Sequence, residues 1–126
     1  MRLRIVSLLA VLGVLATAVG AYASTRSASV VLPTKITVTM HDYSFTWSKR
    51  TILKGPTTKT VVFTVKNAGA VAHNIDFVGL GKRSALVQPG GHTTLKIIFK
   101  KRATIQVVCD VPRHIQLGMV STFKVK

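Results

Sequence analysis

The sequence predicts an all-β protein, an antiparallel β-sandwich of Greek-key type. Three observations lead there. Apolar and polar residues alternate in run after run, the period of a strand with one buried face. The runs are separated by Gly, Pro, Asn or basic turns at short intervals. After residue 23 no stretch carries the 3.6-residue period of an amphipathic helix. About six to eight short strands spaced this way suit two sheets packed on one core.

The first stretch stands outside that domain. Arg2 and Arg4 precede an apolar run from Ile5 to Gly20, and Ala21-Tyr22-Ala23 offers a small-x-small site before Ser24. Residues 1–23 therefore read as a secretory signal peptide preceding the sandwich, with an uncleaved membrane anchor as the rival reading, since the run approaches spanning length. Residues 24–33, closed by Pro33, form a short linker, and 34–126 the domain.

Thr34 to Met40 opens it, with Ile36, Val38 and Met40 on one face. Tyr43, Phe45 and Trp47 repeat the spacing after Asp42 and read as this strand's continuation. Met40 belongs to the apolar face and His41 points away, so neither is a candidate ligand. Lys49 to Lys59, with Gly55-Pro56, is a turn-rich connection. Thr60 to Lys66 is β-branched with Val61, Phe63 and Val65 inward, and Asn67-Ala-Gly69 turns the chain. A strand from Ala70 to Val78 follows, placing His73, Ile75 and Phe77 on one face and Asn74 and Asp76 on the other. Gly79 to Gly91 is a loop with a brief extended piece at Ser84 to Val87, and His92 at its end is a surface residue. Thr93 to Phe99 points Leu95, Ile97 and Phe99 inward, and Lys100-Lys101-Arg102 turns into Ala103 to Cys109, with Ile105, Val107 and Cys109 sharing a face. Met119, Ser121, Phe123 and Val125 start the last strand.

Charge narrows the partners. Eighteen Lys and Arg face only Asp42, Asp76 and Asp110, a formal +15, and removing Arg2 and Arg4 leaves +13. Such a field favours acidic partners or anionic surfaces. The cations are dispersed and aromatics are few, so no stacking surface for nucleic acid is visible. No Ser-His-Asp set and no paired carboxylates offer hydrolytic chemistry.

The chemistry concentrates near the C-terminus. Val107 to Met119 reads Cys-x4-His-x4-Met, with Cys109 the one cysteine of the chain, then His114 and Met119. In an exported protein an unpaired thiol is exposed and hazardous, half of an intermolecular bridge, or occupied. Thiolate, imidazole and thioether are soft or borderline donors that suit copper better than magnesium or calcium. A fourth donor would come from upstream, where His73 lies on an apolar strand face. Read alone, Cys109 could be a small core residue and His73 a hydrogen-bonded core histidine.

On these residues the sequence resembles the cupredoxins, small blue-copper electron carriers, from about Ile36 to Val125, with a loop spacing similar to the rusticyanin and sulfocyanin branch. The resemblance implies one type 1 copper ion held by His73, Cys109, His114 and Met119. It implies that Asn74 ties the upstream strand to the cysteine loop. Arg113 stands where relatives commonly have Gly, and Val120 where they often have Gly. The expected function is an exported one-electron carrier, periplasmic, cell-envelope or extracellular, monomeric and not an enzyme, with Arg113 beside the docking point of an acidic redox partner. Copper delivery in the envelope, or a metal-free sandwich serving as an interaction module, are the competing readings.

Overall fold

The computed structural model describes residues 31–126. Residues 1–23, read from sequence as a signal peptide, and most of 24–33, read as a linker, lie outside the described residues. Among the described residues nine strands form two sheets. Those strands are β1 (Thr34–His41), β2 (Ser44–Trp47), β3 (Thr51–Ile52), β4 (Lys59–Asn67), β5 (Asp76–Phe77), β6 (Lys82–Arg83), β7 (His92–Phe99), β8 (Ala103–Val108) and β9 (Val120–Val125). One sheet runs β2-β1-β4-β7 and the other β3-β9-β8-β5-β6.

The long alternating runs fold as their period dictates: Ile36, Val38 and Met40 of β1, Val61, Phe63 and Val65 of β4, and Ile105 and Val107 of β8 are buried. Two expectations are corrected. The Tyr43 to Trp47 run does not continue the first strand but turns back on it as β2, with His41 opposite Ser44. Asp42 and Tyr43 make the turn, and Tyr43 takes a φ of 67° to do so. The sheets are also mixed and not antiparallel throughout, because β1 pairs with β4 in parallel and β3 with β9 in parallel. Parallel neighbours need a crossover. The Lys49–Lys59 connection supplies it, visiting the other sheet as β3 on the way.

The strand expected from Ala70 to Val78 is mostly absent as a ladder. Its buried face is as read, with His73, Ile75 and Phe77 fully enclosed. Yet only β5 and one bridge, His73 to Val87, are paired. Side chains have taken the backbone donors: the Asn74 N–H points at Cys109 Sγ at 3.4 Å and the Ile75 N–H donates to Ser84 Oγ at 3.0 Å. Hydrogen bonds of this kind offer the backbone an alternative to a sheet ladder. The segment is thereby fastened to the cysteine.

Aromatic rings close the space between the sheets. Phe63 of β4 lies 4.8 Å from Phe77 and 5.3 Å from Phe123 across the interface. Trp47 stacks 5.7 Å from Phe123, and its indole N–H donates to Ser121 Oγ at 3.1 Å, satisfying the polar end of a half-buried ring. Phe63→Ala should therefore cost about 3–5 kcal/mol, as large-to-small core changes do. Ile98→Ala, at a position 50% exposed on β7, should stay within about 0.5 kcal/mol. Urea midpoints of the metal-free protein check both, and equal losses would show that Phe63 is not the centre of the core.

Candidate metal centre

Strand β8 ends by burying Cys109 completely, and the chain then folds into a loop that closes on itself. The His114 N–H donates to Val111 O at 3.0 Å, the Leu117 N–H to Arg113 O at 3.1 Å and the Gly118 N–H to Ile115 O at 3.0 Å. Met119 fastens both ends, since its N–H donates to His114 O at 3.0 Å while its carbonyl accepts from the Cys109 N–H at 3.2 Å. Successive tight turns need left-handed dihedrals. Gly118 supplies one at φ 97°, and Arg113 adopts φ 72°, a conformation costing a side-chain-bearing residue roughly 1–2 kcal/mol. Arg113 thus occupies a glycine-like conformation on an exposed turn, at the position where relatives commonly have Gly.

Three of the four expected ligands converge. His73 Nδ1 lies 3.1 Å from His114 Nδ1 and 3.9 Å from Cys109 Sγ, and His114 Nδ1 is 3.3 Å from Cys109 Sγ. A point equidistant from three atoms so spaced lies roughly 2 Å from each, about the length of a metal–imidazole bond. The donor types, two imidazole nitrogens and a thiol, therefore stand at the separations that one bound transition-metal ion requires. His73 and Cys109 are wholly enclosed, and His114 keeps 8% of its surface exposed, so its edge is the outlet to solvent. Met119 is fully buried, and its backbone bonds to both other ligand residues of the loop.

Asn74 joins the segment that carries His73 to the end of β8. Beyond its N–H contact with Cys109 Sγ, its side-chain amide donates to Asp110 Oδ1, and its Oδ1 accepts from the Asp110 N–H at 3.0 Å. Arg83 of β6 pairs with the other oxygen of Asp110. The Asn74 amide, then the Arg83 guanidinium, hold the Asp110 carboxyl below its ordinary 3.8.

The Asp42–Tyr43 turn, read from sequence as a strand, forms the remaining wall. Asp42 Oδ1 is 3.1 Å from His73 Nε2, and its carboxylate accepts from the Ala70 N–H. That backbone bond, and then the one to His73, lower the Asp42 pKa. Tyr43 meets the imidazoles edge-on, its ring centroid 5.2 Å from His114 and 6.4 Å from His73. The available signal was the Asp itself, one of only three acids in the chain, directly after an alternating strand.

Burial sets an acid limit. Desolvation, reinforced by repulsion from His73, lowers the His114 pKa from 6.5. The unfolded state then binds a proton that the folded state refuses, so stability is complete above about pH 6.5 and falls as pH drops through the lowered value. Asp42 and Asp110, also lowered, add a second loss beginning below their ordinary 3.8. Urea unfolding of the metal-free protein from pH 8 to 3 should show two successive declines. A flat response from pH 7 to 5, or one unchanged by His114→Gln, would contradict the burial of His114.

No family model matches the chain, and no curated protein matches it. Solved structures do. Auracyanin from Roseiflexus castenholzii aligns over 76% of this chain and 99% of its own, with a TM-score of 0.61 and 20% identity. Auracyanin A of Chloroflexus aurantiacus, a "blue" copper protein, aligns over 75% and 99%, with a TM-score of 0.53 and 20% identity. A multicopper oxidase matches over 73% of this chain and 41% of its own, with a TM-score of 0.58 and 17% identity. The described residues have the cupredoxin fold.

Proposed function

We propose that the protein holds one type 1 copper ion and works as an exported one-electron carrier. The observation that carries this reading is the buried triangle of His73 Nδ1, His114 Nδ1 and Cys109 Sγ. Zinc also takes imidazole and thiolate, but closed zinc sites want four strong tetrahedral donors. Two His and one Cys, with a buried Met119 whose backbone bonds to both loop ligands, form a soft and borderline donor set that would suit copper. Copper bound there supplies a one-electron couple. His73, Cys109, His114 and Met119 would hold it, and Asn74 would fix the cysteine side of the site.

The chain's contribution is rigidity and insulation. Both segments bearing the enclosed donors are tied by Asn74, and Pro112 and the loop's internal bonds restrain His114, so the ligands are held in place whatever the charge at the centre. Enclosure of the thiol favours retention over delivery, because a site that hands its metal on needs an open face. An oxidase or reductase would require a second centre, and His41 and His92 both stand exposed on strands. The exposed edge of His114 would be the exit for the electron, and the apolar Ile115 and Leu117, 46% and 50% exposed, follow it on the same loop. Arg113 and the charge of +13 left without Arg2 and Arg4 would favour an acidic partner there, met by a single copy of this chain.

Adding Cu(II) to the purified protein should produce an intense thiolate-to-copper band toward the red, lost in Cys109→Ala and kept in His92→Ala. Met119→Leu, nearly volume-conserving, should keep colour and fold while raising the potential, and Met119→Gln should lower it, because a harder donor favours Cu(II). Stoichiometric copper without colour would end the electron-carrier reading. Matching potentials in both variants would make Met119 a core residue only. Electron transfer to an acidic protein should slow as salt shortens the Debye length to about 8 Å at 0.15 M, and an unchanged rate would remove the steering role.

A further inference from the structure

Eighteen cations surround three carboxylates in this chain, yet Asp42 is paired with a histidine. A carboxylate only accepts hydrogen bonds, so His73 Nε2, 3.1 Å from Asp42 Oδ1, must carry the ring hydrogen. The lone pair then sits on Nδ1, the nitrogen that faces His114 and Cys109. We propose that Asp42 is a positioning residue that fixes the metal-ready tautomer of His73 and, by placing a negative charge behind the ring, shifts the site toward the more highly charged oxidation state of its metal. The second half rests on the copper reading, and the first does not.

The carboxylate is held in a built cradle. The Ala70 N–H donates to both of its oxygens, at 2.9 and 3.1 Å. Asn67, itself buried, shapes that loop: its amide donates to the carbonyls of Val71 and Val87 at 2.8 Å each, and its Oδ1 accepts from the Gly69 N–H at 2.8 Å. Gly69 is where the cradle would fail. A Cβ there would overlap Asp42 Oδ1 and lie 2.9 Å from His73 Nε2. Nothing larger than glycine's hydrogen is tolerated between the loop and this hydrogen-bonded pair, so the fold keeps the approach open for it. A carboxylate behind a ligating imidazole fixes ring orientation and raises ligand basicity.

Two readouts test this, one of them independent of metal. In the metal-free protein, ring-nitrogen NMR should find His73 protonated at Nε2, with that hydrogen exchanging at least about tenfold faster in Asp42→Ala. Asp42→Asn, which can still accept the bond, should keep the tautomer but lose the charge. In the copper-loaded protein, Asp42→Asn and Gly69→Ala should each lower the ratio of Cu(II) to Cu(I) affinity about tenfold, a rise of about 59 mV for one electron. Gly55→Ala, where an added Cβ meets nothing, should change neither readout. Unchanged Nε2–H exchange in Asp42→Ala would overturn the positioning role. Unchanged potential in Asp42→Asn would overturn the charge role. If the protein takes up no copper, the copper reading fails by itself while the ring-nitrogen result still decides whether Asp42 positions His73.

Discussion

Everything at the centre depends on one cross-link between two stretches of chain, the hold of Asn74 on Cys109 and Asp110. Its backbone reaches the thiol sulfur and its side chain makes a reciprocal pair with the next residue, so the upstream segment and the end of β8 cannot move separately. A buried imidazole and a buried thiol are each costly unless partnered, and this link brings the partners together before any metal does. It is achieved by giving up sheet pairing: donors that a ladder would use are spent on Cys109 Sγ and Ser84 Oγ. The short β5 is the visible trace of that exchange.

The framework was legible because burial and period coincide. In β1, β4, β7 and β8 the residues that alternate in sequence are those that meet in the core, and the sulfur and imidazole spacing of the last loop announced a metal. Mixed sheet direction was not legible, since a parallel and an antiparallel neighbour impose the same alternation on β1. The Asp42–Tyr43 turn escaped for a related reason. Phe45 and Trp47 keep the parity of the strand before them, and nothing local shows that Tyr43 takes a left-handed φ without a glycine. The roles of Asn67 and Gly69 are tertiary. They follow from what Asp42 needs nearby, and no short motif carries that.

The rarity of acids gives their placement weight. Asp42 lies against His73, Asp110 follows Cys109 and pairs with Asn74 and Arg83, and both are held ionised by the bonds they accept. In a chain this basic, cations alone would surround the donors and oppose a bound cation. The two carboxylates temper that field, one behind the His73 imidazole and one on the residue after Cys109, bonded to Asn74 and Arg83.

The spacing of the donors along the chain also bears on biogenesis. Cys109, His114 and Met119 are close neighbours in sequence, so an extended, newly made chain already presents sulfur and nitrogen donors locally, and only His73 has to arrive from a distant segment. A ligand that also binds the unfolded state stabilises the native one by correspondingly less. The metal's contribution to native stability therefore depends on the closure of His73 over the loop, and premature capture would tether the loop before the sheets have paired. A chain built this way gains from folding first and loading afterwards.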